Sequence, residues 1–294
     1  MGKARSISED VDLSSDSCTQ KPAIRQSYMI CSTPRSGSYL LCGALAATGV
    51  AGRPTERFPR PPEFEVTTRH LEKWVTQWSS ELASAPADDA AYVREVLRQG
   101  TTPNGVFGIK IHRPQLDDGV RRIEAYVGRN DLTITRLLGS AFPNLSYIWL
   151  RRRDKIAQAV SLFKAFSSIS FMQVSGQRPG IGIKIDYDET KIAFYLSAIR
   201  NWDNGWRHFF ESNGIQPLIL EYEELASSYV ETVRSVLSFL KIPEADGISI
   251  DKPRYERMSN ETSASWIARF KESRIKLDRR SVPKSTPTPK STPT

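Results

Sequence analysis

The stretch Ser32-Thr-Pro-Arg-Ser-Gly-Ser-Tyr39 sets hydroxyl side chains, one arginine and one glycine between an apolar run, YMICS, and the start of an apolar helical pattern. These residue types suit an anion. The first N–H groups of a helix have no intrahelical acceptor, and with the helix dipole they favour negative charge. Ser36 and Ser38 add hydroxyl donors, Gly37 lets the backbone come close to a ligand, and Arg35 supplies a permanently charged planar fork suited to phosphate or sulfate oxygens. A serine-capped turn between strand and helix explains the serines but not the arginine. The segment also falls short of the GxxxxGK[ST] nucleotide-triphosphate loop, because Gly37 is followed by Ser38 and Tyr39 and the lysine is missing. The pattern points to a phosphate-bearing donor handled without magnesium.

A second anion-binding candidate follows the apolar run LSYIWL. Arg151-Arg152-Arg153-Asp154 opens a helical pattern, and Ser161 stands eight residues after Arg153. An arginine at a strand end and a serine two turns along the next helix can converge on one phosphate; a surface basic cluster with an incidental serine is the alternative. Cys18, Cys31 and Cys42 are too few and too irregularly spaced for a disulfide framework or a zinc site, and His70, His112 and His208 form no ligand pair. No metal is expected. Cys31, in an apparent strand, and Cys42, on a helix face, read as small core residues.

The elements that must position these residues alternate in type. Strands are expected at Tyr28–Ser32, Val106–His112, Leu145–Leu150 and Pro217–Glu221. Helices are expected at Gly37–Thr48, Gln115–Gly128, Asp154–Phe166, Tyr187–Asn213 and Glu223–Leu240, where apolar residues recur at helical spacing. Near-continuously apolar strands alternating with helices predict an α/β fold, with a parallel sheet covered on both faces. Residues 53–104 offer helical stretches and no clear strand, so a helical insertion is expected after the first βα unit. Trp74 and Trp78 are one turn apart there, as Trp202 and Trp206 are later, and packing is the expected role of both pairs.

Composition sets the outer limits. The 294 residues carry 39% apolar and 25% charged side chains, enough for one sizeable core and typical of a globular chain. No run approaches a membrane span, and residues 1–27 lack the apolar core of a secretory signal, so a cytoplasmic protein is expected. Those residues read as a disordered leader, residues 28–275 as one domain, and residues 276–294, with the repeat PKSTPT-PKSTPT, as a flexible tail. Of the formal net charge of +8, a net +5 lies in residues 271–294, where seven Lys and Arg face Glu272 and Asp278. The basic excess therefore belongs mostly to the tail.

Taken together, the motifs resemble those of sulfotransferases, and in particular the trehalose 2-sulfotransferase family. STPRSGSYLL resembles the family's 5′-phosphosulfate loop and RRRDKIAQAVS its 3′-phosphate motif, while ATGVAGRPTERF and FGIK match two further stretches in order. ERMSNETSASWIARF is similar to the end motif, with Met258 where glutamine is common after Arg257. The resemblance spans nearly all of residues 28–274. It implies a P-loop-like fold and sulfuryl transfer from 3′-phosphoadenosine 5′-phosphosulfate (PAPS) to a hydroxyl of a carbohydrate or glycolipid. It also implies a homodimer. Arg35, Ser36, Gly37, Ser38 and Tyr39 fall on the 5′-phosphosulfate loop, Arg153 and Ser161 on the 3′-phosphate site, and Glu56 on the family's catalytic base. Tyr39 stands where threonine is common. In such a reaction Arg35 and the loop amides would stabilise the leaving phosphate oxygen. Lys110 could help them, and His112, on the same strand face, is a second candidate base. Arg53, Arg57 and Arg69 lie near the tryptophans of the insertion and could meet a sugar.

Two other readings fit parts of the pattern. A nucleotide-dependent phosphotransferase would use the same cradle, but it needs a lysine after Gly37 and an acidic magnesium ligand at a strand end. A non-catalytic anion- or nucleic-acid-binding protein would use the basic charge, with strongly salt-dependent binding. The motifs favour the transferase, with no specific nucleic acid as partner.

Overall fold

The computed structural model describes residues 23–58, 88–168, 185–251 and 261–281. Four strands, β1 (Gln26–Ser32), β2 (Val106–His112), β3 (Leu145–Arg151) and β4 (Leu218–Glu221), form one sheet in the order β2-β1-β3-β4. Every pairing is parallel. The expected α/β class with a helix-flanked parallel sheet is the one observed.

Side chains along β1 and β2 are buried on both faces, which is why these strands show no polar alternation. One face carries Met29, Cys31, Phe107, Ile109, Ile111 and Trp149. It packs against α2 (Asp89–Gly100), α3 (Leu116–Val127), α4 (Ile134–Ala141) and the C-terminal part of α6 (Glu189–Ser212). The opposite face, with Tyr28, Ile30, Ile148 and Leu150, packs against α1 (Ser38–Ala47) and α8 (Tyr229–Phe239). A third cluster lies away from the sheet, where α5 (Lys155–Ser168), α6 and α9 (Glu261–Ser281) bury Val160, Phe163, Ile199, Trp266 and Phe270. Burial raises the thiols of Cys31 and Cys42, the latter to about 12. Both are inert core residues at neutral pH.

β2 ends the sheet on one side, and chain segments cover its outer edge. Glu56 bridges to Lys110 in parallel and Thr101 to Phe107 antiparallel. The cover protects an exposed edge and brings Glu56 to the strand that carries Lys110 and His112.

Several boundaries differ from expectation. β1 starts at Gln26, two residues early, because the N–H groups of Arg25 and Gln26 both reach Gly105 O, at 2.9 and 3.4 Å. The single helix expected over Glu223–Leu240 is two, α7 (Tyr222–Ser227) and α8, separated at Ser228 by a non-helical backbone. α4 and α9 were not expected as helices, and α9 runs to Ser281, past the expected domain end at residue 275. Of the expected helical insertion the described residues show α2, capped by Asp88. Arg69, His70, Trp74 and Trp78 lie outside the described residues, as do Cys18, Arg257 and Met258. Trp206 is fully buried, and Trp202 packs against the third cluster.

The strand order places a switch point between β1 and β3. From β1 the chain moves to the β2 side, and from β3 it moves to the β4 side. Open parallel sheets bind ligands beyond the strand carboxyl ends at such a point. Residues 33–37 and 152–154, the two candidate anion segments, flank it. Among the described residues no helix is long and apolar enough to cross a membrane.

Candidate active site

The loop between β1 and α1 is built for close approach. Gly37 sits at φ 85°, and a Cβ there would collide with the ring of Tyr222. Arg35 is also left-handed, at φ 67°, a conformation non-glycine residues avoid and one that clusters at functional sites. The N-cap of α1 is Gly37, which has no side chain to cap the helix. Among the described residues Ser36 Oγ, which is buried, has no hydrogen-bond partner. A buried hydroxyl left in that state is costly, and an oxygen of a bound anion would satisfy it.

Side chains of α5 and α6 hold the loop in shape. Gln158 Nε2, on α5, donates to Thr33 Oγ1 at 2.9 Å and to Pro34 O at 2.7 Å. Thr33 Oγ1 donates to Asp203 on α6 at 3.4 Å, and Lys155 ion-pairs with the same carboxylate. The Trp206 indole N–H donates to Ser32 O at 2.8 Å.

The two candidate anion segments meet. Arg35 Nε donates to Ser161 Oγ at 3.0 Å, and Arg152 Nη1 donates to Arg35 O at 3.2 Å. Burial, and then neighbouring Arg152, lowers the Arg35 guanidinium to about 10, which leaves it cationic at neutral pH. Arg152 also lies over the Tyr222 ring, 4.7 Å from its centroid. The arginine run thus divides three ways. Arg151 pairs with Glu221 on β4, Arg152 joins the loop, and Arg153 pairs with Glu224 while 57% of its side chain stays exposed. Sequence spacing assigned Arg153 to the site and passed over Arg152. Which of three consecutive arginines faces the loop depends on where β3 ends.

A buried polar cluster sits beside the first turn of α1. Glu56, with 3% of its side chain exposed, ion-pairs through Oε2 with fully buried Lys110. Gln115 Nε2 donates to Glu56 Oε1 at 2.6 Å and to Phe58 O at 2.9 Å, while Gln115 Oε1 accepts from the His112 N–H at 2.8 Å. Tyr39 OH donates to Glu56 Oε2 at 3.4 Å, and the Lys110 ammonium lies 4.1 Å from the Tyr39 ring centroid. His112 Nε2 is 3.4 Å from both Glu56 Oε2 and Lys110 Nζ, and its Nδ1 is 3.0 Å from Ser32 Oγ. Burial works against the Lys110 charge, but the Glu56 carboxylate and then Tyr39 and Cys42 outweigh it and hold the ammonium above its ordinary range. Glu56, Lys110, His112 and Tyr39, scattered over 74 positions of sequence from 39 to 112, therefore form one site. Gln115 had no sequence signal beyond the turn-forming Arg-Pro that precedes it.

This arrangement can hold an anion at the start of α1 and place a carboxylate next to it. A family model described as Stf0 sulphotransferase matches residues 27–273. The chain belongs to the Stf0 sulphotransferase family. As a member of that family it is similar to the trehalose 2-sulfotransferase of Mycolicibacterium smegmatis, 28% identical over 260 residues that cover 83% of this chain and 94% of the relative. The enzyme of the same name from Mycobacterium tuberculosis is also 28% identical, over 255 residues and the same shares of both chains. A solved sulfotransferase domain of the Synechococcus PCC 7002 olefin synthase covers 91% of this Stf0 chain and 93% of its own, with 17% identity and a TM-score of 0.41.

Proposed function

We propose that this Stf0 sulphotransferase moves a sulfuryl group from PAPS to a hydroxyl of a carbohydrate or glycolipid, trehalose being the first acceptor to test. The observation that carries the reading is the hydrogen bond from Arg35 to Ser161, which joins the loop after β1 to the helix after β3. The relatives named for trehalose support a sugar as acceptor.

The loop amides of Ser36, Gly37, Ser38 and Tyr39, the Ser36 hydroxyl and the Arg35 fork would hold the 5′-phosphosulfate end. Ser161 and Arg153 would hold the 3′-phosphate. The Arg153–Glu224 pair is more than half exposed on both partners, so exchanging Glu224 for a phosphate costs little. As the S–O bond breaks, charge develops on the leaving phosphate oxygen, and Arg35 with the helix N-terminus would stabilise it without reorganisation. Glu56 acts as the general base that takes the acceptor's proton during in-line attack.

Exchange of Glu56 for glutamine keeps the size and removes the base. Glu56→Gln is expected to reduce turnover about 10²–10⁴-fold. Binding of 3′,5′-bisphosphoadenosine, measured by calorimetry, should survive the change. Full turnover in this variant would remove Glu56 from the role. Failure of the wild-type protein to bind the bisphosphate would remove PAPS as donor.

A further inference from the structure

Glu56 is an awkward base as it stands. Its carboxylate is buried, Oε1 is taken by Gln115, and Oε2 is held by Lys110. An acceptor hydroxyl arriving from solvent meets little of it. Tyr39 differs from its neighbours in this respect. Ser32, Glu56, Lys110, His112 and Gln115 are all buried, whereas Tyr39 keeps partial exposure. Its hydroxyl reaches Glu56 Oε2, and its ring packs on Lys110. Tyr39 also follows Ser38 directly, in the first turn of α1, so it borders any anion held by the loop. A phenol both donates and accepts a hydrogen bond. The 3.4 Å contact to Glu56 is loose, as catalytic hydrogen bonds commonly are before substrate binds.

We propose that Tyr39 is a proton-relay residue between the acceptor and Glu56, an inference that rests on Glu56 being the base. The acceptor O–H proton passes to the Tyr39 phenolic oxygen as the phenolic proton passes to Glu56 Oε2. In the same step the acceptor oxygen bonds to sulfur, and the bond from sulfur to the leaving phosphate oxygen breaks. Tyr39 ends the step neutral and Glu56 ends it protonated. Lys110, whose charge the carboxylate balanced, then faces a neutral acid, and its ammonium favours return of that proton through Tyr39 to solvent as product leaves.

The test is single-turnover sulfation with PAPS and the first sugar that the wild-type protein sulfates in a panel beginning with trehalose. Tyr39→Phe keeps the ring on Lys110 and deletes only the relay atom. It is expected to slow the single-turnover rate about 10²-fold, with bisphosphate binding unchanged. In mixtures of light and heavy water the wild-type rate should fall along a curve, the signature of two protons in flight, and the residual rate of the variant along a straight line. A purely structural tyrosine would not alter that curvature. Should Tyr39→Phe fail to fold, 3-fluorotyrosine at position 39 preserves shape while making the phenol more acidic, and it should shift the alkaline limb of the pH–rate profile. An unchanged rate in Tyr39→Phe, a straight wild-type plot, or an unmoved profile with fluorotyrosine would each overturn the relay. Inactive Glu56→Gln beside fully active Tyr39→Phe removes the relay alone. Active Glu56→Gln removes the base and the relay together, as does a wild-type protein that sulfates no sugar.

Discussion

Lys110 is the least expected side chain in the core, a lysine with no exposed surface in a strand that also buries Val106, Phe107, Ile109 and Ile111. Isolated, its charge would be strongly disfavoured. Glu56 compensates it, and Gln115 in turn satisfies the second oxygen of Glu56, so a change at one member is felt by the others. Lys110→Met removes one charge and leaves the other without its counterion. We expect a loss of about 3–5 kcal/mol in denaturant unfolding. The double variant Glu56→Gln with Lys110→Met should lose less than the sum of its single changes, because the two sites share one interaction. The pH dependence follows from the raised pKa of Lys110. Its contribution is complete below the ordinary lysine value of 10.5 and disappears as pH rises through the higher folded value. Melting curves of the wild type between neutral pH and pH about 11 should show this alkaline loss, and those of Lys110→Met should show less of it.

At the scale of elements, the loop after β1 is shaped from two directions. α5 and α6 support it through Gln158, Asp203 and Trp206, while Tyr222, the first residue of α7, presses against the bare backbone of Gly37. Arg152 lies over the same ring, which further holds the tyrosine in place. Gly37→Ala therefore meets a clash and an unfavourable φ together. A cost of about 1–3 kcal/mol is expected, with a weakening of bisphosphate binding larger than the stability change alone would produce. Calorimetry on the folded variant separates the two effects. An alanine at Gly49, which is also left-handed but open to space, controls for backbone strain without a clash.

At the scale of the molecule, the sheet positions the loop after β1 while the third cluster positions α5 beside it. α5 carries Ser161 on the side toward Arg35, and it is anchored by Phe163 and Val160 against α6 and by contact with Trp266 of α9. Lys164 on α5 also donates to Ser263 of α9 at 2.8 Å. α9 thus buttresses the site from outside the sheet. Trp266→Ala should cost about 3–5 kcal/mol of stability. It should also reduce bisphosphate affinity through the displacement of α5. Thermal melting and binding of the same nucleotide are the measurements, and a destabilised variant with wild-type affinity would contradict the coupling.

Much of this organisation was legible in the chain. Continuous apolar runs such as YMICS and VFGIKIH require strands covered on both faces, and the polar interruption after YMICS can only be a turn, so sheet class and anion loop follow from local chemistry. Local periodicity also located the helices that begin near Ser38, Lys155 and Glu189. It missed α4, whose eight residues are too few for a period to stand out, and it fused α7 with α8 because the break at Ser228 needs no proline or glycine. Glu56 was known only through a resemblance, since a glutamate in a polar stretch looks solvated. Its burial arises because the segment around it closes the edge of β2. In the same way, three adjacent arginines are equivalent as letters, and only the end of β3 sends Arg151 to Glu221, Arg152 to the loop and Arg153 to Glu224. The sequence by itself determined which residues can bind an anion, because that property belongs to side chains and helix ends. Tertiary structure decided which of them share a site, because the strand order and the cover over β2 bring together residues that no local spacing relates.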